Sequence, residues 1–223
     1  MNIEKIKKNK KIAIVCMAII VAIIVIGVIF FAVNKSTSKT TGGATANKLE
    51  NLYENLKQSQ SYSFTATLDE KNKMTYEKND GKAYTDTTYN GTESKFIIKD
   101  GNSYLLVDGQ KAYYTYVNNS IDLNKIELQL SEVINSGEHQ NGEEKIDGKN
   151  YQYEEYNGIT DFTMQDTSNV TANQNAKTRF YFKNNKLVYI KTIINDKQEL
   201  LKVDISNNVD TNLFEIPSDY EER

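Results

Sequence analysis

The hydrophobic pattern divides the chain into one long apolar run and a longer region of alternating character. Residues 12–33 form an unbroken run of 22 residues without a charged side chain. A helix of this length rises about 33 Å, which is enough to cross a hydrocarbon core of roughly 30 Å. Five lysines precede the run, and only two follow it closely. This pattern predicts a transmembrane signal anchor from Ile12 to Val33, with residues 1–11 in the cytoplasm and residues 34–223 outside the cell membrane.

Other interpretations of the apolar run fit less well. A cleaved signal peptide has a shorter apolar core, of about 7–15 residues, followed closely by a small-residue site. The nearest such site here, from Ala44 to Ala46, is distant from the end of the run. Cys16 lies near the start of the run and follows Val15, which is not where a lipidated cysteine belongs. We interpret Cys16 as an apolar membrane residue, and cleavage after the membrane segment stays open as the alternative.

Two segments after the membrane run have helical periodicity. Residues 34–46 are small and polar and contain glycine, which is typical of a flexible linker. Apolar residues then recur at helical spacing from Leu49 to Leu56, and this predicts an amphipathic helix over 47–59. A second set of apolar residues with the same spacing predicts another amphipathic helix over 121–135.

The remainder of the patterned region is predicted to form strands. From Tyr62 the apolar period changes to two, and pairs such as Asn90-Gly91 supply the positive φ angles of tight hairpins. The predicted strands are 62–68, 82–89, 94–99, 103–107, 111–117, 151–156, 178–183, 186–194 and 199–205. Polar residues 165–176 predict a loop. Short connections leave no room for crossover helices, so the fold class is α+β with an antiparallel sheet.

Several strands are apolar on both faces, including 104–107, 180–182 and 187–190. Two interpretations follow from this pattern. In the first, the helices cover one face of the sheet, and the second face is exposed to solvent and carries tyrosines. In the second, the sheet is curved, and the two helices cover an apolar cavity on its concave face.

The order of elements resembles the LolA-like lipoprotein-carrier family over residues 47–223. A tether, a helix and a meander opening with Tyr62-Ser63-Phe64 are followed by a helical insertion and closing strands. The ending carries Leu213-Phe-Glu-Ile-Pro217 and then Asp219-Tyr220. The resemblance implies an incomplete antiparallel half-barrel, with both helices packed on its concave face over a hydrophobic cavity. Family members bind acyl chains of lipoproteins or lipids, or act as regulatory partners of envelope and spore-wall enzymes.

Two functions are therefore expected. The first is a membrane-anchored extracytoplasmic binding protein for a lipid or an acylated ligand. The second is an interaction module that docks on an envelope protein or a cell-wall enzyme. For the first function, the predicted cavity lining is Phe64, Leu68, Phe96, Ile98, Leu106, Leu130, Phe180, Phe182 and Ile190.

Composition and motifs exclude several other classes. Of 27 basic and 30 acidic residues, residues 1–46 hold seven lysines and one glutamate, which leaves residues 47–223 with a net charge of −9. Such a balance is unsuited to nucleic acid. One Cys and one His rule out an intramolecular disulfide and a multi-His metal site. His139 lies in a polar turn, and no Gly-x-Ser-x-Gly elbow accompanies it. We predict no enzyme activity, no cofactor and no metal.

Overall fold

The computed structural model describes residues 47–117, 123–137, 139–157 and 176–223. They belong to one of two compact units of the chain, and the other unit lies outside the described residues. Their helices are α1 (Lys48–Gln58) and α2 (Lys125–Asn135). Their strands are β1 (Ser61–Asp69), β2 (Asn72–Asn79), β3 (Lys82–Tyr89), β4 (Thr92–Lys99), β5 (Asn102–Val107), β6 (Ala112–Val117), β7 (Gln140–Ile146), β8 (Lys149–Asn157), β9 (Ala176–Lys183), β10 (Lys186–Ile194), β11 (Lys197–Ser206) and β12 (Glu221–Glu222).

All twelve strands belong to one large, curved, open sheet. Strands β1 to β6 form one antiparallel meander, and β7 to β11 form a second. Antiparallel pairing of β1 with β11 joins the two meanders, with Phe64 opposite Ile205. Strand β12 then pairs in parallel with β6. The described sheet therefore ends at β12 beside β6 on one side and at β7 on the other.

Hairpin turns fall where the sequence places them. Asn90 and Gly91 both have positive φ, 50° and 77°, which is the geometry of a type I′ turn. Asn184 and Asn185 adopt the same geometry without glycine, at 50° and 62°. The Asp108-Gly109 pair differs, because it begins a short 3-10 turn that ends at Lys111 with φ of 46°.

Both helices lie on the same face of the sheet, which we call the helix-side face. Asn47 caps α1 by accepting a hydrogen bond from the Glu50 amide at 2.9 Å. The Glu154 carboxylate of β8 accepts hydrogen bonds from the backbone amides of Lys48 and Leu49 at 2.6 and 3.1 Å. A side chain of the sheet thus pairs with amides of the first turn of α1, which have no partner within the helix. The two helices also pack against each other.

The main core lies between the helices and the helix-side face. Each helix buries one stripe, with Leu49 and Leu56 from α1 and Ile126, Leu130 and Val133 from α2. The strand residues packed with them come from β1 to β4 and from β8 to β11. Among described residues, β5 and β6 contribute no member to this core. The helices therefore cover only part of the sheet.

The opposite, outer face is covered in part by the chain after β11. Phe214 packs there on Tyr84 and Ile97. Its neighbour Glu215 binds the ammonium groups of Lys82 and Lys99 at 2.8 and 2.6 Å. These lysines hold the pKa of the exposed Glu215 carboxyl at about 2. Residues after β11 thus form a strap across the first meander.

The structure agrees with the predicted fold class and extends it. Strands β2, β7 and β12 are absent from the sequence prediction. Strand β2 is rich in charge, β7 buries only its last residue, Ile146, and β12 has only two residues. The predicted membrane segment 12–33, the linker 34–46, residues 121 and 122, and nearly all of the predicted loop 165–176 lie outside the described residues. No helix among the described residues is long and apolar enough to span a membrane.

Candidate functional site

Most of the predicted cavity lining lies in the main core. Six of the nine residues belong to the cluster between the sheet and the helices: Phe64, Ile98, Leu130, Phe180, Phe182 and Ile190. Four of these six, including Phe64 and Leu130, are 0% exposed. A side chain with no accessible surface touches neither solvent nor an empty space that holds a water molecule. The interface beneath the helices is therefore filled at these positions.

The other three predicted residues lie elsewhere. Leu106 lies on the outer face, where it packs against the cluster of Tyr84, Ile97 and Phe214. It therefore does not line the helix-side face, and this part of the prediction needs correction. Leu68, near the end of β1, is 40% exposed. Phe96 is half-buried on β4.

A single row of residues connects the filled core with a more open part of the same face. Strand pairing places seven residues side by side across β11 and β1 to β6, and we call this set the cross-strand row: Ile205, Phe64, Tyr76, Thr85, Phe96, Leu105 and Tyr114. Phe64 and Tyr76 are at most 1% exposed, whereas the last four members are half-buried. The row contains no charged side chain.

The half-buried end of the row and one residue beside it form a surface that we call the open wall: Phe96, Leu105 and Tyr114 from the row, and Tyr116 from the neighbouring row. Tyr116 lies opposite Ser103, which is itself opposite Ile98. Burial raises the pKa of the Tyr116 phenol above its ordinary value, and the nearby Tyr114 adds to the shift. The phenol is therefore neutral at physiological pH, and the wall is uncharged.

A small cavity of about 250 Å³ lies towards the β7 end of the sheet, near the start of α1. Residues Asn141, Glu143 and Gln152 contribute to its lining. The Lys48 ammonium donates a hydrogen bond to Gln152 and lies 5.8 Å from the centre of the Phe182 ring. This cavity is lined by both charged and apolar groups and has only Phe182 in common with the predicted lining, so it is a separate place from the open wall.

The His139 ring lies 5.2 Å from the ring of Tyr156, an aromatic contact. In the parts of the chain that the structure describes, no group of three or more His, Cys, Asp or Glu residues is placed to hold a metal ion.

Sequence reasoning did not single out Leu105, Tyr114 or Tyr116. Residues 104–107 are apolar at every position, so alternation does not say which of them faces the helices. Only the pairing of Leu105 with Phe96 assigns it to the helix-side face. Tyrosines at alternate positions of 112–117 indicate that these side chains share one face of the sheet. The alternation does not indicate which face this is.

Known proteins resemble this chain at low sequence identity. No family model matches the chain, and no curated protein matches it. An uncharacterized conserved protein from Thermus thermophilus is similar at 9% identity and a TM-score of 0.43, covering 80% of this chain and 99% of that one. The Mycobacterium tuberculosis lipoprotein LppX is similar at 15% identity and a TM-score of 0.40, covering 73% of this chain and 97% of that one.

Proposed function

We propose that residues 47–223 are a non-enzymatic binding module that holds an acyl chain of a lipid or of an acylated protein. The site is the open wall together with the adjoining part of the cross-strand row. The open sheet with both helices on one face agrees with the architecture that the LolA-like resemblance implies. The ligand lies against the wall beyond the helices and not in the filled space beneath them.

The observation that carries this proposal is the continuity of the cross-strand row. The row passes from the packed Phe64 to the half-buried Leu105 and Tyr114 without a charged side chain. Burying apolar surface contributes about 25 cal/mol per Å², and burying a charge would oppose it. An uncharged surface that continues a core is suited to an uncharged, apolar occupant such as an alkyl chain.

We also propose that the module works close to one membrane, on its outer side. The signal anchor over residues 12–33 fixes the chain there, and 13 linker residues follow it. A fully extended linker of this length spans at most about 45 Å. The module therefore reaches lipids and acylated proteins of its own membrane but does not shuttle between two membranes.

Photolabelling tests the site in the full-length protein in its membrane. A diazirine-bearing fatty acid is supplied to the cells, and adducts are mapped by mass spectrometry after digestion. We expect adducts on β4, β5 and β6. Leu105→Gln should reduce them several-fold, because it places a polar amide in the wall.

The matched control is Leu106→Gln, which makes the same change one position away on the outer face. Leu105 and Leu106 are both half-buried, so similar losses of stability are expected from the two variants. Equal labelling of the two variants, or adducts confined to residues 12–33, would contradict the proposed site.

One observation favours the second function, docking on another envelope protein. Strand β6 contains no charged residue, and Val117 at its end is 69% exposed. Exposed strands of this kind favour pairing with another chain.

A further inference from the structure

The two sides of the sheet differ in how they are protected against strand pairing. Strand β7 carries Glu143, Glu144 and Lys145, and charges of this kind discourage the approach of another strand. Its Gly142 leaves room for the Tyr153 ring of β8, because a Cβ atom there would lie 2.4 Å from that ring. Strand β6 has neither charge nor glycine. Among the described residues, its protection comes from β12 alone.

Strand β12 covers only the first part of β6. It pairs with Ala112 and Tyr113. The amides of Glu221 and Arg223 donate to the carbonyls of Lys111 and Tyr113, each at 3.0 Å. Backbone groups of alternate residues point to the same side of a strand. The N–H and C=O groups of Thr115 and Val117 therefore point to the same side as those of Tyr113, and no described residue pairs with them there.

We propose that the part of the β6 edge formed by Thr115 and Val117 binds an extended segment of another polypeptide by strand addition. Pairing of β12 shows that this edge accepts a strand, and the added segment continues the pairing where β12 stops. This inference is independent of acyl binding, since it uses backbone groups at the edge and not the side chains of the open wall.

The surroundings of the edge specify the chemistry of the segment. On the helix-side face the added strand lies beside Tyr116, which favours an apolar side chain. On the outer face the Glu222 carboxylate accepts a hydrogen bond from the Thr115 hydroxyl at 2.6 Å. A lysine or arginine in the segment complements this exposed carboxylate. The expected partner is an extended strand of alternating apolar and polar residues with a basic residue beside Glu222.

A second copy of this chain fits the edge poorly. Antiparallel pairing of two β6 strands about Thr115 would place Tyr113 of each copy opposite Val117 of the other. Tyr113 is already paired with Glu222 of β12. The edge is therefore open to a slender peptide and not to a twofold pair of β6 strands.

A fluorescent model peptide tests the proposal with the full-length chain in detergent micelles. The peptide is capped at both ends and has alternating valine and threonine between two lysines. We expect saturable binding by fluorescence anisotropy, together with slower hydrogen exchange in the segment that contains Thr115 and Val117. A peptide of the same length with proline at its centre should bind at least tenfold more weakly.

Three variants assign the binding to the edge. Thr115→Pro and Val117→Pro each remove an outward-facing N–H group without removing a bond to β5, and each should weaken binding at least tenfold. Thr115→Ala keeps that N–H group and loses only the bond to Glu222, so it should stay within about threefold of the wild type. Thermal melting shows which proline variant retains the fold, and photolabelling by the fatty acid should be unchanged in it.

Several outcomes would overturn the inference. Binding that is unchanged in a folded proline variant would exclude the edge, as would exchange protection located in β7. Failure of the wild-type chain to bind the peptide would also contradict the inference. Self-association in the absence of peptide, abolished by Thr115→Pro, would assign the edge to a second copy.

Discussion

The Tyr62 hydroxyl donates a hydrogen bond to the Glu127 carboxylate at 2.6 Å and thereby joins the first strand to the second helix. The other carboxylate oxygen of Glu127 accepts from the Lys78 ammonium at 2.7 Å. Tyr62 is 0% exposed and Glu127 is 4% exposed. Burial, followed by this hydrogen bond, raises the pKa of the Tyr62 phenol well above its ordinary value. Helix α2 is thus held to the sheet by a buried polar contact as well as by apolar packing.

Removing the Glu127 carboxylate should destabilise the protein more than removing the Tyr62 hydroxyl. Tyr62→Phe loses one bond to a charged group, and we expect a decrease of about 1.5–3 kcal/mol in the free energy of unfolding. Glu127→Ala leaves the Lys78 ammonium and the Tyr62 hydroxyl without this partner. We expect it to decrease the free energy of unfolding by roughly 3–5 kcal/mol. Urea denaturation measures both. Leu128→Ala, at an exposed position of the same helix, is the control, and an equal loss in it would contradict this account.

Acid should weaken the contacts that hold β7 and β8 to their neighbours. The Glu144 carboxylate accepts hydrogen bonds from Lys191, Tyr181 and Arg179. Burial by itself would raise the pKa of Glu144, but these bonds outweigh it and lower the pKa below its ordinary value. The pKa of Glu155 is lowered in the same way, against the effect of burial, by bonds from Lys177 and Arg179.

Because both carboxyls have a lower pKa in the folded state, their stabilisation is complete above the unfolded-state pKa, which is about 4.3. It is lost as the pH falls through the folded-state pKa. We expect the urea midpoint to decrease from about pH 5 downward, and less steeply in Glu144→Gln. Glu143→Gln, a change at the neighbouring position, is the control variant. Equal slopes for Glu144→Gln and the wild type would show that Glu144 contributes little.

Leu130 distinguishes a filled interface from an open cavity. Because this residue is 0% exposed among close neighbours, Leu130→Trp should lower the free energy of unfolding by about 1–3 kcal/mol through overpacking. Leu130→Ala should lower it by roughly 2–5 kcal/mol by leaving a void. Leu128→Trp, at the exposed position, is the size-matched control. A Leu130→Trp protein as stable as the wild type would indicate unfilled space beneath α2.

The membrane topology is tested on intact cells. We expect the full-length chain to sediment with membranes and external protease to remove residues 47–223. This result follows from the lysine-rich flank of residues 1–11 and the apolar run of residues 12–33. Protection of the module from protease, with digestion only after the cells are opened, would contradict the proposed orientation.

His139 should be dispensable for function. Its ring contacts Tyr156, and loss of an aromatic pair costs about 0.5–1.5 kcal/mol. His139→Ala should therefore melt slightly earlier, while labelling by the fatty acid stays at the wild-type level. Loss of the cellular role in a His139→Ala protein that still folds would argue for catalysis.

Much of the secondary structure follows from local sequence. Helical spacing from Leu49 to Leu56 predicts α1 to within one residue at each end, because one stripe of a helix must be buried. Alternation from Tyr62 to Ala66 predicts β1 for the corresponding reason in a sheet. The Asn90-Gly91 turn is equally local, since few residues other than Asn, Asp and Gly adopt positive φ readily.

The candidate site is less accessible to sequence reasoning. Leu105 and Leu106 are chemically the same and adjacent, yet Leu105 belongs to the open wall and Leu106 packs in the outer cluster. No local pattern separates them, because their strand is apolar on both faces. A shift of one residue in register would exchange the two leucines. Only the pairing with β4 therefore decides which of them lies on the helix-side face.

The sequence by itself determined the types of element, most of their positions, the apolar run of residues 12–33 and the absence of charge from β6. Tertiary structure decided which strands are neighbours, which face each side chain occupies and how far the helices extend over the sheet. Pairing of Phe64 with Ile205 joins residues far apart in the chain, and such contacts depend on the whole set of strands. Local periodicity reflects one element burying one face, whereas the exposure of the open wall depends on how far the described helices extend over the sheet.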